Sequence, residues 1–142
     1  MSLQIAEREN EGIIVLDLKG PLTLGHGDLE LRDRLPALHQ SGKVNIIVNL
    51  KDVSNIDSTG LGTLVFGLAR LRKTGGRLAL VNLNRAHLEL FLLTKLAIAF
   101  EFFDDEQDVV NEEHCIWRAP AHESHWQRRR GRPERSRYNP LN

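Results

Sequence analysis

Apolar residues follow two different spacings along most of the chain. A short apolar run rich in β-branched residues predicts a buried strand at residues 44–50. After it, apolar residues recur one, three and four positions apart, which predicts one face of a helix that ends before Gly75. The same patterns predict strands near 2–6, 13–18, 44–50, 78–82 and 98–103, and helices near 28–40, 60–73, 85–96 and 105–113.

The alternation of strands with helices is typical of an α/β domain in which helices pack against a sheet. The opening segment Gln4–Leu18 is interrupted at Asn10, Glu11 and Gly12, which predicts a β-hairpin. A hairpin followed by alternating helices and strands gives a mixed rather than a wholly parallel sheet. We therefore expect a mixed sheet of about four or five strands with helices packed against it.

Two features of the predicted helices are unfavourable when considered alone. Pro36 lies inside the first helix, where a proline costs about 3 kcal/mol, so this helix either begins near Asp28 and kinks or is shorter than usual. Gly62 and Gly67 lie inside the second helix, where each costs about 1 kcal/mol relative to alanine. Such a glycine indicates either close packing within the fold or the approach of a partner from outside.

Charge divides the chain near residue 112. Residues 1–112 contain 12 basic and 16 acidic side chains, whereas residues 113–142 contain 7 basic and 3 acidic ones. The second part has three prolines and no sustained apolar period. We expect one folded domain over 1–112 and a basic, disordered tail over 113–142. Contact of the tail with nucleic acid or an acidic membrane is the alternative to a solvated charge run, and we expect no direct nucleic-acid partner.

The composition is that of a small cytoplasmic domain. The chain has 142 residues, of which 41% are hydrophobic, enough for one core. The N-terminal residues lack the apolar centre of a signal peptide, and no apolar run reaches the roughly 20 residues that span a bilayer, so we expect no membrane insertion. A single cysteine, Cys115, allows no internal disulfide. His114, Cys115, His122 and His125 lack the paired spacing of a zinc site, so no metal is expected.

The segment Asn55–Gly62, NIDSTGLG, places an acid and two hydroxyl groups between the predicted strand and the predicted helix. Ser58 is expected at or beside the N-cap of this helix, where such residues ordinarily contribute about 1 kcal/mol as caps. A phosphate on Ser58 would add about 1.5 to 2 negative charges next to Asp57. The N-terminal end of the helix would partly offset this charge within the chain, but a docked partner would have no such compensation.

Common catalytic motifs are absent from the same segment. A nucleophile elbow requires GxSxG, but Ile56 replaces the first glycine. The chain has no GxxxxGK[ST] motif, and Val65 takes the place of the third glycine of a dinucleotide fingerprint. The sequence therefore predicts neither an enzyme nor a bound cofactor, and a small enzyme using Asp57 and Ser58 lacks an identifiable base or metal.

Four segments resemble the STAS domains of anti-sigma factor antagonists in order and spacing. They are LDLKG at 16–20, IIVNL at 46–50, KDVSNIDSTGLG at 51–62 and RKTGGRLALVNLN at 72–84. The resemblance implies a STAS fold for residues 3 to about 110, and phosphorylation of the serine after the aspartate, Ser58, by a GHKL-type kinase that is also the anti-sigma factor. It implies that the unphosphorylated form binds this kinase and so releases a sigma factor, that ATP and magnesium belong to the kinase, and that a separate phosphatase restores Ser58.

The resemblance also indicates which residues contact the partner. They are Thr23, Asn55, Asp57, Ser58, Thr59, Gly60 and Leu61. Leu61 has an alternative interpretation, because a leucine at this position can pack in the core instead. The chain differs from the family after Gly20, where relatives often have an acidic residue three positions on and this chain has Thr23. An alternative function with the same fold is a non-catalytic STAS subunit or scaffold of a lipid-transport or signalling complex.

Overall fold

The computed structural model describes residues 2–42, 45–73, 75–94, 100–112 and 115–117, and the described elements are six strands and four helices. The strands are β1 Gln4–Asn10, β2 Ile13–Leu22, β3 Asn45–Ile56, β4 Arg77–Val81, β5 Glu101–Phe103 and β6 Cys115–Trp117. The helices are α1 Asp28–Gln40, α2 Ser58–Arg72, α3 Arg85–Leu93 and α4 Glu106–Asn111. No helix within these ranges is long and apolar enough to cross a membrane.

The strands form one mixed sheet in the order β1-β2-β3-β4-β5-β6. Strands β1 and β2 pair antiparallel across a turn in which Glu11 and Gly12 have positive φ angles of 50° and 84°, which confirms the hairpin. Strands β2 to β5 are parallel, and β6 pairs antiparallel with β5. The mixed α/β sheet is confirmed, but it has six strands rather than four or five.

The additional strand, β6, lies within the segment that was expected to be a disordered tail. Its three residues, 115–117, pair with β5, so regular structure extends past the expected boundary at residue 112. The apolar segment CIW has only three residues and lies between charged residues, so the sequence pattern does not predict it as a strand. Residues 113, 114 and 118–142 of the expected tail lie outside the described residues. The same holds for residue 44 of the predicted third strand, residues 95 and 96 of the predicted third helix, residues 98 and 99 of the predicted fifth strand and residue 113 of the predicted fourth helix.

The core has two parts, one on each face of the sheet. On one face, α1, α2 and α3 cover the larger cluster, in which Leu16, Val48 and Leu64 are fully buried. On the other face, α4 covers a smaller cluster that includes Ile47 and Val109. Helix α2 is therefore fixed along its inner face, and its first residue follows directly from the end of β3.

Helix α1 continues through Pro36 from Asp28 to Gln40, so the alternative of a shorter helix is wrong. The proline removes one backbone donor from the helix. Leu31, Leu35 and Leu38 are nevertheless buried on both sides of it. Burial of a leucine side chain contributes about 1.5–3 kcal/mol, so this packing offsets the proline.

The two interior glycines of α2 differ in their surroundings. A Cβ added at Gly67 would lie 2.2 Å from Cδ1 of Leu35, so Gly67 allows α1 to approach α2 closely. A Cβ added at Gly62 would meet no atom of the described residues within 4 Å. Close packing therefore explains Gly67, with α1 as the neighbour, but it does not explain Gly62.

A polar cluster joins β1, β2 and α4 at one edge of the sheet. Arg8 donates from Nε to Asp17 at 2.6 Å and from Nη1 to Glu106 at 2.8 Å. Burial raises the pKa of Asp17, but the hydrogen bonds from Arg8 and Asn49 outweigh this effect and leave the pKa below its ordinary 3.8. The hydrogen bond from Arg8 is the main cause that lowers the pKa of Glu106. The cluster thus favours the ionised carboxylates.

We predict opposite effects of alanine at the two glycines of α2. Gly67→Ala should destabilise the fold by about 1–3 kcal/mol because the new methyl group overlaps Leu35. Gly62→Ala should stabilise it by about 0.5–1 kcal/mol because the methyl group has space and lowers the entropy of the unfolded chain. Urea unfolding of both variants and the parent tests this, and a loss of stability in Gly62→Ala would contradict it.

We also predict that Arg8 stabilises the fold in a pH-dependent way. The lowered pKa values of Asp17 and Glu106 mean that their contribution is complete above their ordinary values of 3.8 and 4.5 and is lost as the pH falls through the lower folded-state values. Arg8→Met should therefore cost about 1 kcal/mol at neutral pH, and this cost should shrink in acid. Denaturant unfolding across the acid range measures it, and a difference independent of pH would assign the effect to packing alone.

Candidate functional site

Asp57 caps helix α2 where strand β3 ends. Its backbone is extended, with φ −109° and ψ −175°, and its Oδ1 accepts a hydrogen bond from the backbone N–H of Gly60 at 2.9 Å. Its carbonyl oxygen accepts the first helical hydrogen bond, from the N–H of Leu61 at 3.0 Å. The N-cap is therefore Asp57, and Ser58 is the first helical residue beside it.

The second carboxylate oxygen of Asp57 binds the loop between β2 and α1. Oδ2 accepts from the backbone N–H of Leu24 at 3.0 Å. These hydrogen bonds, first that from Leu24 and then that from Gly60, hold the pKa of Asp57 below its ordinary value of 3.8. One ionised side chain thus fixes the loop at residues 23–27 against the first turn of α2.

Ser58 projects from this junction into solvent. The residue is exposed, and its hydroxyl group forms no hydrogen bond to any described residue. Helix α2 has no acidic residue in its first turn, so Asp57 is the nearest carboxylate along the chain. Thr59 is less exposed than Ser58, and its carbonyl oxygen accepts from the hydroxyl of Thr63 at 3.0 Å. Ser58 is therefore the hydroxyl more accessible to another protein.

Gly60 and Leu61 face inward. A Cβ added at Gly60 would lie 2.1 Å from the carbonyl oxygen of Leu22, so only glycine fits between α2 and the end of β2. Leu61 is 2% exposed and belongs to the larger core cluster. Of the two interpretations of Leu61, core packing is the one found, because the side chain points toward the sheet and cannot serve as an exposed anchor.

Thr23 and Asn55 flank the junction on two sides. The hydroxyl of Thr23 lies 3.0 Å from Nδ1 of His26 within the loop that Asp57 holds. Asn55 is exposed near the end of β3, and its Oδ1 accepts from the hydroxyl of Ser54 at 3.0 Å. The structure therefore places Thr23, Asp57, Ser58 and Thr59 around one junction, with Asn55 at its margin.

Leu24 is a residue of this junction that the sequence analysis missed. Its side chain is 68% exposed although its backbone is held by Asp57. The only sequence signal is a leucine next to glycine in a loop, LGHG, outside any apolar period. Leu24 and Asp57 are 33 residues apart in the sequence, so no local pattern indicates their contact.

The described residues contain no group of three or more His, Cys, Asp or Glu side chains placed to bind a metal ion. Among the tail residues considered as ligands, His114, His122 and His125 lie outside the described residues, and Cys115 is described only in its backbone. The exposed hydroxyl group of Ser58 lies on the first turn of α2, next to the loop at residues 23–27 that Asp57 holds.

Comparison with known proteins places strands β1 to β5 and the helices between them in one family. Residues 4–109 match the STAS domain family. The anti-sigma-B factor antagonist of Bacillus subtilis (strain 168) is 34% identical over 96 residues, which are 68% of this chain and 86% of that protein.

Solved structures share the fold at lower identity. An anti-sigma factor antagonist from Mycobacterium paratuberculosis superposes with a TM-score of 0.70 at 20% identity, covering 78% of this chain and 93% of the other. The Bacillus cell fate determinant SpoIIAA in its phosphorylated form superposes with a TM-score of 0.60 at 21% identity, covering 78% of this chain and 98% of the other. On the family match over residues 4–109 and the similarity to the Bacillus subtilis protein, which is named an anti-sigma-B factor antagonist, the chain belongs to the STAS domain family.

Proposed function

We propose that this chain is a cytoplasmic anti-sigma factor antagonist whose binding is switched by phosphorylation of Ser58. In its unphosphorylated form it binds a GHKL-type anti-sigma factor kinase, which then releases its sigma factor. The kinase transfers phosphate from ATP to Ser58 and the complex dissociates. A separate phosphatase restores the hydroxyl group. The chain itself catalyses no reaction and carries no cofactor.

The observation that carries this proposal is the exposed hydroxyl group of Ser58 on the first turn of α2, which forms no hydrogen bond to any described residue. Because Asp57 satisfies the helix N-terminus, the fold does not require the Ser58 hydroxyl as a cap. A side chain with no internal role can be modified without unfolding the protein. Its exposure also gives a kinase access to it.

Charge explains how the modification can end binding. A phosphate brings about 1.5 to 2 negative charges to a position next to the ionised Asp57. Within the chain, the positive end of the α2 dipole partly offsets this charge. A partner in contact with the same turn must accommodate both the volume and the charge of the phosphate, and like charges brought together at an interface cost several kcal/mol.

The relatives support the same interpretation. The protein that is 34% identical to this chain is named an antagonist of the anti-sigma-B factor. SpoIIAA, which shares the fold, has been solved in both an unphosphorylated and a phosphorylated form. Together with the exposed serine, these names favour a phosphorylation switch over a passive interface.

We predict a single phosphate on Ser58 when the purified protein is incubated with ATP, magnesium and the GHKL-type anti-sigma factors encoded in its own genome. Intact mass gives the number of phosphates and peptide mapping gives the position. Ser58→Ala should remove the phosphate, whereas Ser41→Ala, at an exposed serine outside the junction, is the matched control and should keep it. Calorimetry should show that Ser58→Ala binds as the parent does and that Ser58→Asp binds at least about tenfold more weakly, a change of about 1.4 kcal/mol.

Two results would contradict the proposal. Binding of an anti-sigma factor without any phosphate transfer, and with equal affinity for the Ser58→Asp variant, would remove the switch. Recovery of transporter subunits or of a signalling scaffold in a pull-down, in place of an anti-sigma factor, would favour the non-catalytic subunit instead.

We predict that Asp57 holds the loop at residues 23–27 and that substitution can separate the roles of its two carboxylate oxygens. Asp57→Asn keeps one acceptor for the N–H of Gly60 but loses the second acceptor for Leu24, whereas Asp57→Ala loses both and should cost about 1 kcal/mol of stability. Hydrogen exchange should show faster exchange at Leu24 in both variants. Slow exchange at Leu24 in Asp57→Asn would show that another contact holds the loop.

The pH dependence provides an independent check on Asp57. Its pKa is lowered in the folded state, so its stabilisation is complete above the ordinary value of 3.8 and is lost as the pH falls through the lower folded value. The advantage of the parent over Asp57→Asn should therefore be constant near neutral pH and should shrink in acid.

A further inference from the structure

The outer face of α2 carries a row of exposed residues that starts one turn after Ser58. Gly62, Phe66 and Arg70 follow at intervals of four residues, so they lie on neighbouring turns of the same side of the helix. All three are exposed, Phe66 to 36%. We call Gly62, Phe66 and Arg70, together with Arg32 of α1, the α2 strip.

Gly62 is the residue of the strip that the fold does not explain. Gly60 is required by the carbonyl group of Leu22 and Gly67 by the side chain of Leu35, but no atom in the described part of the chain lies within 4 Å of a Cβ at Gly62. A glycine inside a helix costs about 1 kcal/mol relative to alanine. Because no contact with the described residues requires the glycine, the missing side chain leaves room for a molecule that approaches α2 from outside.

Phe66 lies between two arginine side chains. The guanidinium carbon of Arg32 is 4.9 Å from the centre of the ring and that of Arg70 is 5.6 Å from it. Each contact at an exposed site contributes about 0.5–1 kcal/mol. One turn beyond Gly62, α2 therefore presents the apolar ring of Phe66 with two positively charged guanidinium groups in contact with it.

Neither arginine is neutralised by the part of the chain that the structure describes. Arg8, Arg34, Arg77 and Arg85 all form ion pairs with carboxylates. Arg32 and Arg70 form none with described residues, and α2 contains no acidic residue from Ser58 to Arg72. Asp28, one turn before Arg32, instead accepts from the N–H of Gly25 at 2.8 Å.

These charges differ from those of the surrounding domain, because residues 1–112 contain more acidic than basic side chains. The C-terminal segment of the chain is also unsuited to cover the strip, since residues 113–142 carry 7 basic and 3 acidic side chains. The occupant that complements the strip is therefore an acidic surface of another protein.

We propose that the anti-sigma factor partner docks an acidic segment along the α2 strip. An apolar side chain of this segment packs over Gly62 against the ring of Phe66, and carboxylates on either side pair with Arg32 and Arg70. The proposal rests on the function proposed above and adds the chemistry of the partner surface. It also gives the phosphate a second effect, because a negative charge on Ser58 would face an acidic segment at close range.

Distances along the helix allow that effect. Four residues rise by about 6 Å, so Gly62 is about one turn from Ser58 and Phe66 about two turns. These spacings are comparable with the screening length of about 8 Å at physiological ionic strength. The phosphate would thus repel carboxylates bound over the nearer half of the strip.

The test uses the full chain and each purified GHKL-type anti-sigma factor of the same genome, with binding measured by calorimetry. We expect Arg32→Glu and Arg70→Glu each to weaken binding at least about tenfold. The matched control is Arg85→Glu on α3, which makes the same change of charge at a side chain that is 91% exposed and should alter binding less than about twofold. Raising the salt from about 0.1 M to about 1 M should weaken the parent more than the two strip variants.

Gly62→Ala separates a docking role from a structural one. We expect this variant to be more stable than the parent but to bind less tightly, because the methyl group occupies the place of the partner's side chain. Thermal unfolding of the arginine variants shows whether they fold as the parent does. If Arg70→Glu does not, Arg70→Gln is used in its place.

The outcomes test separately the docking proposed for the α2 strip and the phosphorylation switch proposed for Ser58. Parent-like binding by both arginine variants, with loss of binding in Ser58→Asp, would overturn the strip and leave the proposed function intact. Weakened arginine variants with an unaffected Ser58→Asp would support the strip and remove the switch. A dimer of the free chain in sedimentation that Arg70→Glu dissociates would overturn the acidic partner in favour of a second copy. Absence of binding by every anti-sigma factor would overturn both proposals.

Discussion

The carboxylate of Asp57 is the constraint on which the candidate site depends. It holds two backbone N–H groups, from Leu24 and Gly60, that are far apart in the sequence. The first belongs to the loop after β2 and the second to the first turn of α2. By satisfying the helix N-terminus itself, Asp57 leaves the neighbouring hydroxyl group of Ser58 without an internal role. The same side chain thus fixes the loop after β2 and leaves the hydroxyl group beside it exposed.

Most of the fold follows from local patterns in the sequence. Helix α1 has the predicted bounds, and the hairpin at Glu11 and Gly12 is found where the apolar run is interrupted. The apolar run at 44–50 predicts a strand, but β3 continues to Ile56. The last residues of β3 are mostly polar and so fall outside the apolar pattern, yet they pair with β2 in the sheet. Strand β6 was missed because three residues beside a basic segment carry too little periodicity.

The candidate site was predictable only in part. The segment around Ser58 was found because its acid and hydroxyl groups separate a strand from a helix, and the resemblance to a family identified the serine. Leu24 contacts Asp57, and Arg32 contacts Phe66. Both contacts join segments that are distant in the sequence, so no spacing of residues predicts them. Leu61 shows the same limit, since a helical leucine can face either way until the position of the sheet is known.

The two edges of the sheet affect how the molecule behaves at high concentration. Strand β1 is the long edge strand, and its middle residues, Glu7, Arg8 and Glu9, are exposed and charged. Residues 115–117 of β6 lie at the opposite edge. Charged or short edge strands resist pairing with the sheet of another molecule. Self-association by addition of a strand to β1 is therefore disfavoured.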